Sequence, residues 1–215
     1  MSSLTLYSYY RSSSAYRVRI AFYFKQIEFH YQPVHLLKKG GEQFQDFFKG
    51  INPLSQVPCL KHKDKILTQS LPILLYLEEL QPEPALLPKD SFQKAEVLSF
   101  CEWINSGIQP LQNLSVLKYI ENEIQFDKVR WSQYWIERGL TACEEFLKNK
   151  AGSFCFSNQV TLADLFLIPQ LYNANRFQVD IKQFPLLDKI NRNCLAMGYF
   201  QKALPENQPD APQLK

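Results

Sequence analysis

The chain has 215 residues, 46% of them hydrophobic and 21% charged, with a formal net charge of +3. That length allows one large domain or two small ones, and the slight positive balance, without any run of lysines or arginines, leaves no electrostatic footprint for nucleic acid. No apolar stretch reaches the roughly eighteen residues of a membrane helix, and the start MSSLTLYSYYRSSS lacks the basic head and long apolar middle of a secretory signal, so a cytoplasmic protein with no membrane contact is expected.

LTLYSY, residues 4–9, reads as a strand with Leu4 and Leu6 on one face. AYRVRIAFYFKQ follows as a helix, with Ala15, Val18, Ala21 and Phe22 on one side. EFHYQPV, 28–34, alternates Phe29 and Tyr31 like a strand, and Pro33 puts it at an edge or near a bend. LLKKGGEQFQDFFKGINP is a polar loop and then a short helix ended by Gly50 and Asn52-Pro53. QVPCLKHKDKILTQ predicts a hairpin, with strands at 57–61 and 65–68 around Lys63-Asp64. SLPILLYLEEL, 70–80, predicts a helix with Ser70 as N-cap and Pro72 in its first turn.

QPEPALLPKD, 81–90, holds three prolines and reads as a connection. Beyond it every periodic stretch is helical. Val97, Phe100, Cys101, Ile104, Ile108 and Leu111 form one stripe, interrupted at Pro110. Ile136, Leu140, Cys143 and Leu147 belong to a second. VTLADLFLIPQL begins a third helix, with Thr161 and Asp164 spaced as a capping box and Val160 and Leu165 as a hydrophobic staple. Being apolar nearly all round, it is the expected centre of its domain.

The order β-α-β, connecting helix, β-β-α is the thioredoxin-like arrangement of a parallel and an antiparallel half. The expected fold is therefore an α/β thioredoxin-like domain over 1–82, a linker over 83–90 and an all-α domain over 91–215. The five cysteines, Cys59, Cys101, Cys143, Cys155 and Cys194, are odd in number and widely spaced, so reduced, buried thiols are expected. Neither they nor His30, His35 and His62 show ligand spacing, and no metal site is expected.

Three places in the first domain could hold a ligand. Ser12, Ser13 and Ser14 lie where the first strand gives way to the first helix. Such a helix start offers unpaired N–H groups and about half a positive charge, and suits a thiolate that the protein itself does not supply. Plain N-capping explains three serines equally well. In VPCL, 57–60, a cis bond before Pro58 turns the Val57 backbone outward to pair with an extended peptide, though an unpartnered edge proline would look the same. Gln69 and Ser70 at a helix start could hold a carboxylate, or simply cap. A tripeptide with one thiol and two carboxylates satisfies all three together.

YSYYRSSSAYRVRIAF, NPLSQVPCL, LTQSLPILLYLEE, GIQPLQNLSVLKY, VTLADLFLIPQLYNANRF and QPDAP run nearly the length of the chain. Together they resemble the zeta class of glutathione transferases, the maleylacetoacetate isomerases. The resemblance implies a homodimer that uses glutathione. It implies that Ser12 bonds the glutathione thiolate, with Ser13 and Ser14 beside it, and that Ala15, Tyr16 and Arg17 continue the cofactor site along the first helix. Gln43 is implied at the glycyl end, Val57 and Pro58 at the cysteinyl part, and Gln69 and Ser70 at the γ-glutamyl end. Gln109, Asn113, Leu114 and Ser115 are implied contacts from the helical domain, and Arg176, with Arg11 second, a partner for substrate carboxylates. The chain departs from the resemblance at Ser14, where a cysteine is usual, and at Pro72 and Leu75. The implied reaction is cis–trans isomerisation of maleylacetoacetate or maleylpyruvate by reversible thiolate addition, in tyrosine and phenylalanine breakdown. Conjugation or dehalogenation of other small electrophiles, and a binding module without turnover, are the alternatives.

Overall fold

The computed structural model describes residues 4–212. Residues 1–3 and 213–215, the outer ends of the two expected domains, lie outside the described residues. The chain divides into two compact units, one running through Ala85 and joined by the chain from Ala196 onward, the other Leu86–Leu195. The expectation of a helical domain running unbroken from 91 to the C-terminus is corrected at this point. α9 (Gly198–Ala203) packs against α1 (Ser13–Phe24) in the first unit. Phe200 and Ala203 are fully buried there, and hydrophobic burial, not chain order, decides which unit a segment joins.

The first unit holds one sheet of order β2-β1-β3-β4. β1 (Leu4–Ser8) pairs in parallel with β2 (Phe29–Pro33) and antiparallel with β3 (Cys59–His62), which pairs with β4 (Lys65–Thr68). Pro33 lies on the edge strand, where a missing donor costs least. The turn between β3 and β4 is Lys63-Asp64, with Lys63 at φ 56°. β3 begins two residues later than the hydrophobic pattern suggests, because Pro58 cannot donate to a ladder.

Alternation along β1 gives the sheet two buried faces. Leu6 opposite Leu60 lies on the face that receives α1 and α3 (Ser70–Leu80). Tyr7 opposite Cys59 lies on the other, where Tyr9, Val34, Phe48, Val57 and Cys59 form a second core beneath α2 (Asp46–Lys49). α1 is buried on almost every side, Ala15 through Phe22 without a break. Its expected one-sided stripe is therefore only half the story, because α9 covers what solvent would otherwise reach. Ser70 proves to be the first helical residue of α3, with Gln69 as the cap residue. The Ser70 hydroxyl accepts from Arg17 Nη1 at 3.0 Å, which takes it away from capping.

Lys25, just past α1, is wholly buried, with an ion pair to Glu78 at 2.7 Å and bonds to the carbonyls of Gln81 (2.7 Å) and Pro84 (2.8 Å). The two carbonyls accept from the ammonium and the Glu78 carboxylate balances its charge, which pins the start of the proline-rich connection to α1.

The second unit contains α4 (Ser91–Gly107), α5 (Leu114–Asn122), α6 (Lys128–Leu147), α7 (Leu162–Arg176) and α8 (Pro185–Leu195). Pro110 interrupts the first stripe as expected. α4 ends, Gln109–Gln112 form a 3-10 turn, and Asn113 caps α5. α6 approaches that turn so closely that a Cβ on Gly139 would sit 2.3 Å from Ile108 Cδ1. α7 is the expected centre, buried from Leu162 through Leu171. At its start the Asp164 carboxylate accepts from the backbone of Thr161 (2.8 Å) and of Cys155 (2.9 Å). Burial raises the Asp164 carboxyl above its ordinary range, while those hydrogen bonds oppose the rise.

Asp164→Ala leaves two buried backbone N–H groups without an acceptor, at about 1–3 kcal/mol each. Chemical denaturation is expected to show a loss of roughly 2 kcal/mol or more. Unchanged stability would overturn this assignment.

Candidate active site

The first turn of α1 carries the three serines singled out from sequence. Ser12 is its N-cap, with extended backbone, and its Oγ accepts from Ala15 N at 3.2 Å. The Ser12 N–H is itself spent on Tyr9 O at 2.9 Å. An α-helix begins with four N–H groups that have no partner within it. With Ser12 and Ala15 satisfied, those of Ser13 and Ser14 are left without a helix partner among the described residues, as an anion site requires. The Ser12 hydroxyl spends a lone pair on its cap bond and keeps its proton to donate outward. Ser12 and Ser14 are half-buried and Ser13 is buried. Capping and anion binding, alternatives on sequence grounds, are compatible in this one residue.

The second cluster is the start of α3. Gln69 has φ 69° and ψ 135°, a strained conformation for a residue with a side chain. Such strain, about 1–3 kcal/mol, tends to be kept where a site needs it. Ser70 is buried, and Arg17 crosses from α1 to reach it. Arg17 is 1% exposed, and Ala15 and Tyr16 are buried as closely. The helix interior rather than its surface is where these three lie, so Arg17 acts on Ser70 by holding it.

The Val57–Pro58 bond is cis, as expected. The ladder of β3 with β1 ends at Cys59, opposite Tyr7, so the Val57 backbone falls outside it. Gln43 lies in a 3-10 turn (Glu42–Phe44), 3% exposed, its Nε2 donating to Leu36 O at 3.3 Å. Its Oε1 is buried with no hydrogen-bond partner among the described residues, an unusual state for an amide oxygen. Gly41, at φ 108°, makes room for that side chain: a Cβ there would stand 2.7 Å from both amide heteroatoms. Gly41 was not singled out from sequence, although the Gly40-Gly41 pair was the visible signal.

Arg11 precedes Ser12 and is half-buried, its guanidinium 5.9 Å from the Tyr10 ring centroid. The remaining expected site residues belong to the second unit. Gln109 is in the 3-10 turn, and Asn113 is the cap of α5, its side chain accepting from Ser115 N at 3.3 Å. Leu114 opens α5, half-buried, and Ser115 is exposed. Arg176 ends α7, exposed, 4.7 Å from the Phe177 ring centroid and donating to Asn173 Oδ1 at 3.3 Å.

No thiol of the protein suits a neutral-pH nucleophile. All five cysteines are free and buried. Burial pushes Cys59 up to about 11 and Cys143 up to about 12, and raises Cys155 and Cys194 as well. A thiolate at the α1 terminus must therefore arrive with a ligand.

Residues 2–79 match the family described as glutathione S-transferase, N-terminal domain. Maleylacetoacetate isomerase of Mus musculus is 46% identical over 96% of this chain and 94% of its own. The chain belongs to the zeta-class glutathione transferase and maleylacetoacetate isomerase family. Among solved structures, the maleylacetoacetate isomerase of Anaeromyxobacter dehalogenans 2CP-1, with glutathione bound in its active site, is 44% identical. It superposes with a TM-score of 0.89 over 99% of this chain and 100% of its own. The holo structure of a bacterial zeta-class maleylpyruvate isomerase reaches 0.93 at 36% identity, over 97% and 100% of the two chains. The chemistry of the α1 terminus, the backbone beside Pro58, the start of α3 and the buried Gln43 oxygen is of the kind a tripeptide thiol needs. No described helix is long and apolar enough to cross a membrane.

Alkylation tests the thiol argument. Iodoacetamide at neutral pH is expected to leave all five protein thiols unmodified, by mass spectrometry, on the timescale that consumes free glutathione. Rapid modification of Cys59 in the folded protein would contradict it.

Proposed function

We propose that this protein is a glutathione-dependent cis–trans isomerase of maleylacetoacetate or a close analogue such as maleylpyruvate. One observation carries the reading. The α1 terminus presents two N–H groups beyond those already bonded and a serine proton, in a protein whose own five thiols are buried. Glutathione, when bound, supplies a thiolate that adds reversibly to the cis double bond and so permits rotation about it.

The chain's own part is electrostatic. Lowering a thiol from about 8.5 by ~2 units needs ~2.7 kcal/mol of preference for its anion. A Ser12 hydrogen bond to charge supplies ~1.5–3 kcal/mol, and the helix terminus adds ~0.3–1 kcal/mol. Ser70 and the start of α3 are assigned to the γ-glutamyl carboxylate, Gln43 to the glycyl end, and the Val57 backbone to the peptide between them. Gln109 and Asn113 to Ser115 keep their roles toward the cofactor on the resemblance. Arg176, and after it Arg11, is the proposed partner of the substrate carboxylates, since a guanidinium fork matches that group. Ser14 in place of a cysteine leaves the thiolate anchor intact and removes one oxidisable group from the turn.

We further read the protein as a cytoplasmic homodimer in tyrosine and phenylalanine breakdown. Five buried thiols suit a reducing compartment, and the exposed rings of Phe92 and Trp103 suit a subunit contact.

Product analysis with maleylacetoacetate or maleylpyruvate tests the reading. The fumaryl isomer should form only with glutathione present, and the glutathione should be recovered unchanged. A stable conjugate instead would favour a transferase acting on other electrophiles, and no turnover a binding module. Ser12→Ala is expected to lower turnover at least about tenfold, equivalent to ~1.4 kcal/mol, with the fold intact, and Ser14→Ala to matter less. Gly41→Ala, which displaces the Gln43 amide, should raise the KM for glutathione severalfold with kcat little changed. An unchanged KM would remove Gln43 from the site.

A further inference from the structure

The residues just ahead of Ser12 are held by partners that the reading above does not use. The peptide group joining Tyr9 to Tyr10 is gripped on both edges. Its carbonyl, Tyr9 O, accepts from Arg19 Nη1 at 3.3 Å and also from the Ser12 N–H at 2.9 Å. Its N–H, on Tyr10, donates to Asp210 Oδ2 at 3.0 Å. The other oxygen of Asp210 accepts from the Tyr31 hydroxyl of β2 at 2.6 Å. Arg19 also reaches Tyr10 O (2.9 Å), Ser8 Oγ (3.2 Å) and, through Nε, Ala203 O (3.2 Å).

These contacts belong together physically. A peptide group held at both C=O and N–H cannot rotate about its flanking bonds. The Ser12 N–H hangs on the same carbonyl, so the plane of that peptide sets how the cap residue enters α1. A carboxylate and a guanidinium lie on opposite edges of it, so neither leaves a net charge beside the helix terminus. Asp210 and Ala203 both belong to the chain that returns to the first unit after Ala196.

We propose that Asp210 is a positioning residue for the thiolate-binding turn, acting through the Tyr9–Tyr10 peptide with Tyr31 and Arg19. The C-terminal return is thereby a working part of the glutathione-binding half. This rests on the reading that Ser12 faces the thiolate, and it makes a prediction whose sign is informative. Were Asp210 to act by charge alone, removing a carboxylate close to the turn would leave more positive potential there and lower the thiol's titration midpoint. A loosened turn raises it instead.

The test is a thiolate-absorbance titration of bound glutathione, together with the affinity for S-methylglutathione, which has no thiol to ionise. Asp210→Ala is expected to raise the midpoint by about half to one pH unit and to change S-methylglutathione affinity less than about twofold. Amide exchange at Ser12, whose N–H is bonded to Tyr9 O, should quicken in the ligand-free protein. Tyr31→Phe, which keeps the carboxylate and its bond to Tyr10, should move the midpoint the same way by less. It decides the matter should Asp210→Ala fail to fold. Tyr31→Phe combined with Asp210→Ala should go no further than Asp210→Ala alone. A midpoint that falls, or stays while stability drops, overturns the proposal. Ser12→Ala is the reference: if it moves the midpoint and the Asp210 and Tyr31 variants do not, the brace is wrong; if Ser12→Ala moves nothing, the Ser12 reading fails and the brace falls with it.

Discussion

Amide groups at the beginning of α1 that the helix's own carbonyls cannot satisfy are what the first unit is arranged around. A helix cannot supply its own first acceptors. Here two of the four donors are satisfied locally, one by the Ser12 side chain and one by Tyr9 O, and two are left. Leaving them facing a ligand is tolerable only if the turn cannot relax to pair them. The neighbourhood enforces that: β1 ends at Ser8, the second core holds Tyr9, and Arg19 takes the carbonyls that a relaxed turn would use. Preorganised donors of this kind stabilise developing or resident charge without reorganisation.

The same unit spends three buried cations on order. Arg17, Arg19 and Lys25 lie at 1%, 0% and 0% exposure on or just after one helix. Moving a cation from water costs several kcal/mol unless its donors are matched. Burial accordingly lowers the Arg19 pKa. Each of these cations is matched to something that needs holding. Arg17 takes Ser70, Arg19 takes the β1–α1 connection and Ala203, and Lys25 takes the chain leaving α3. A hydrophobic replacement would pack as well but would leave those carbonyls free to move, so the cations contribute geometry more than stability.

Legibility from sequence followed the range of the interactions. Strand and helix periods, the capping box at Thr161 and Asp164, the break at Pro110 and the edge placement of Pro33 are local, and the structure repeats them within a residue or two. The serine turn was legible as a helix start because the motif lies within one helical turn. Arg17 is a cofactor residue only on the resemblance, and sequence gives no sign that its guanidinium reaches Ser70, 53 positions away. Ser70 was assigned as a cap on local grounds and is bonded otherwise. For Asp210 and Tyr31, a strand period and a family segment were legible but not this role, since nothing within several residues of either refers to Tyr10.

By itself the sequence determined which segments fold as strands and helices, where they start and stop within a residue or two, and which helix start carries three hydroxyls. Those properties depend on propensity, period and capping, which act across a few residues. The tertiary structure alone decided that the C-terminal return closes over α1, that three cations go inside, and that one peptide ahead of Ser12 is clamped from both edges. Hydrogen bonds between residues 9 to 200 positions apart exist only after the chain has been brought back upon itself, and no local pattern encodes which distant acceptor a buried donor will meet.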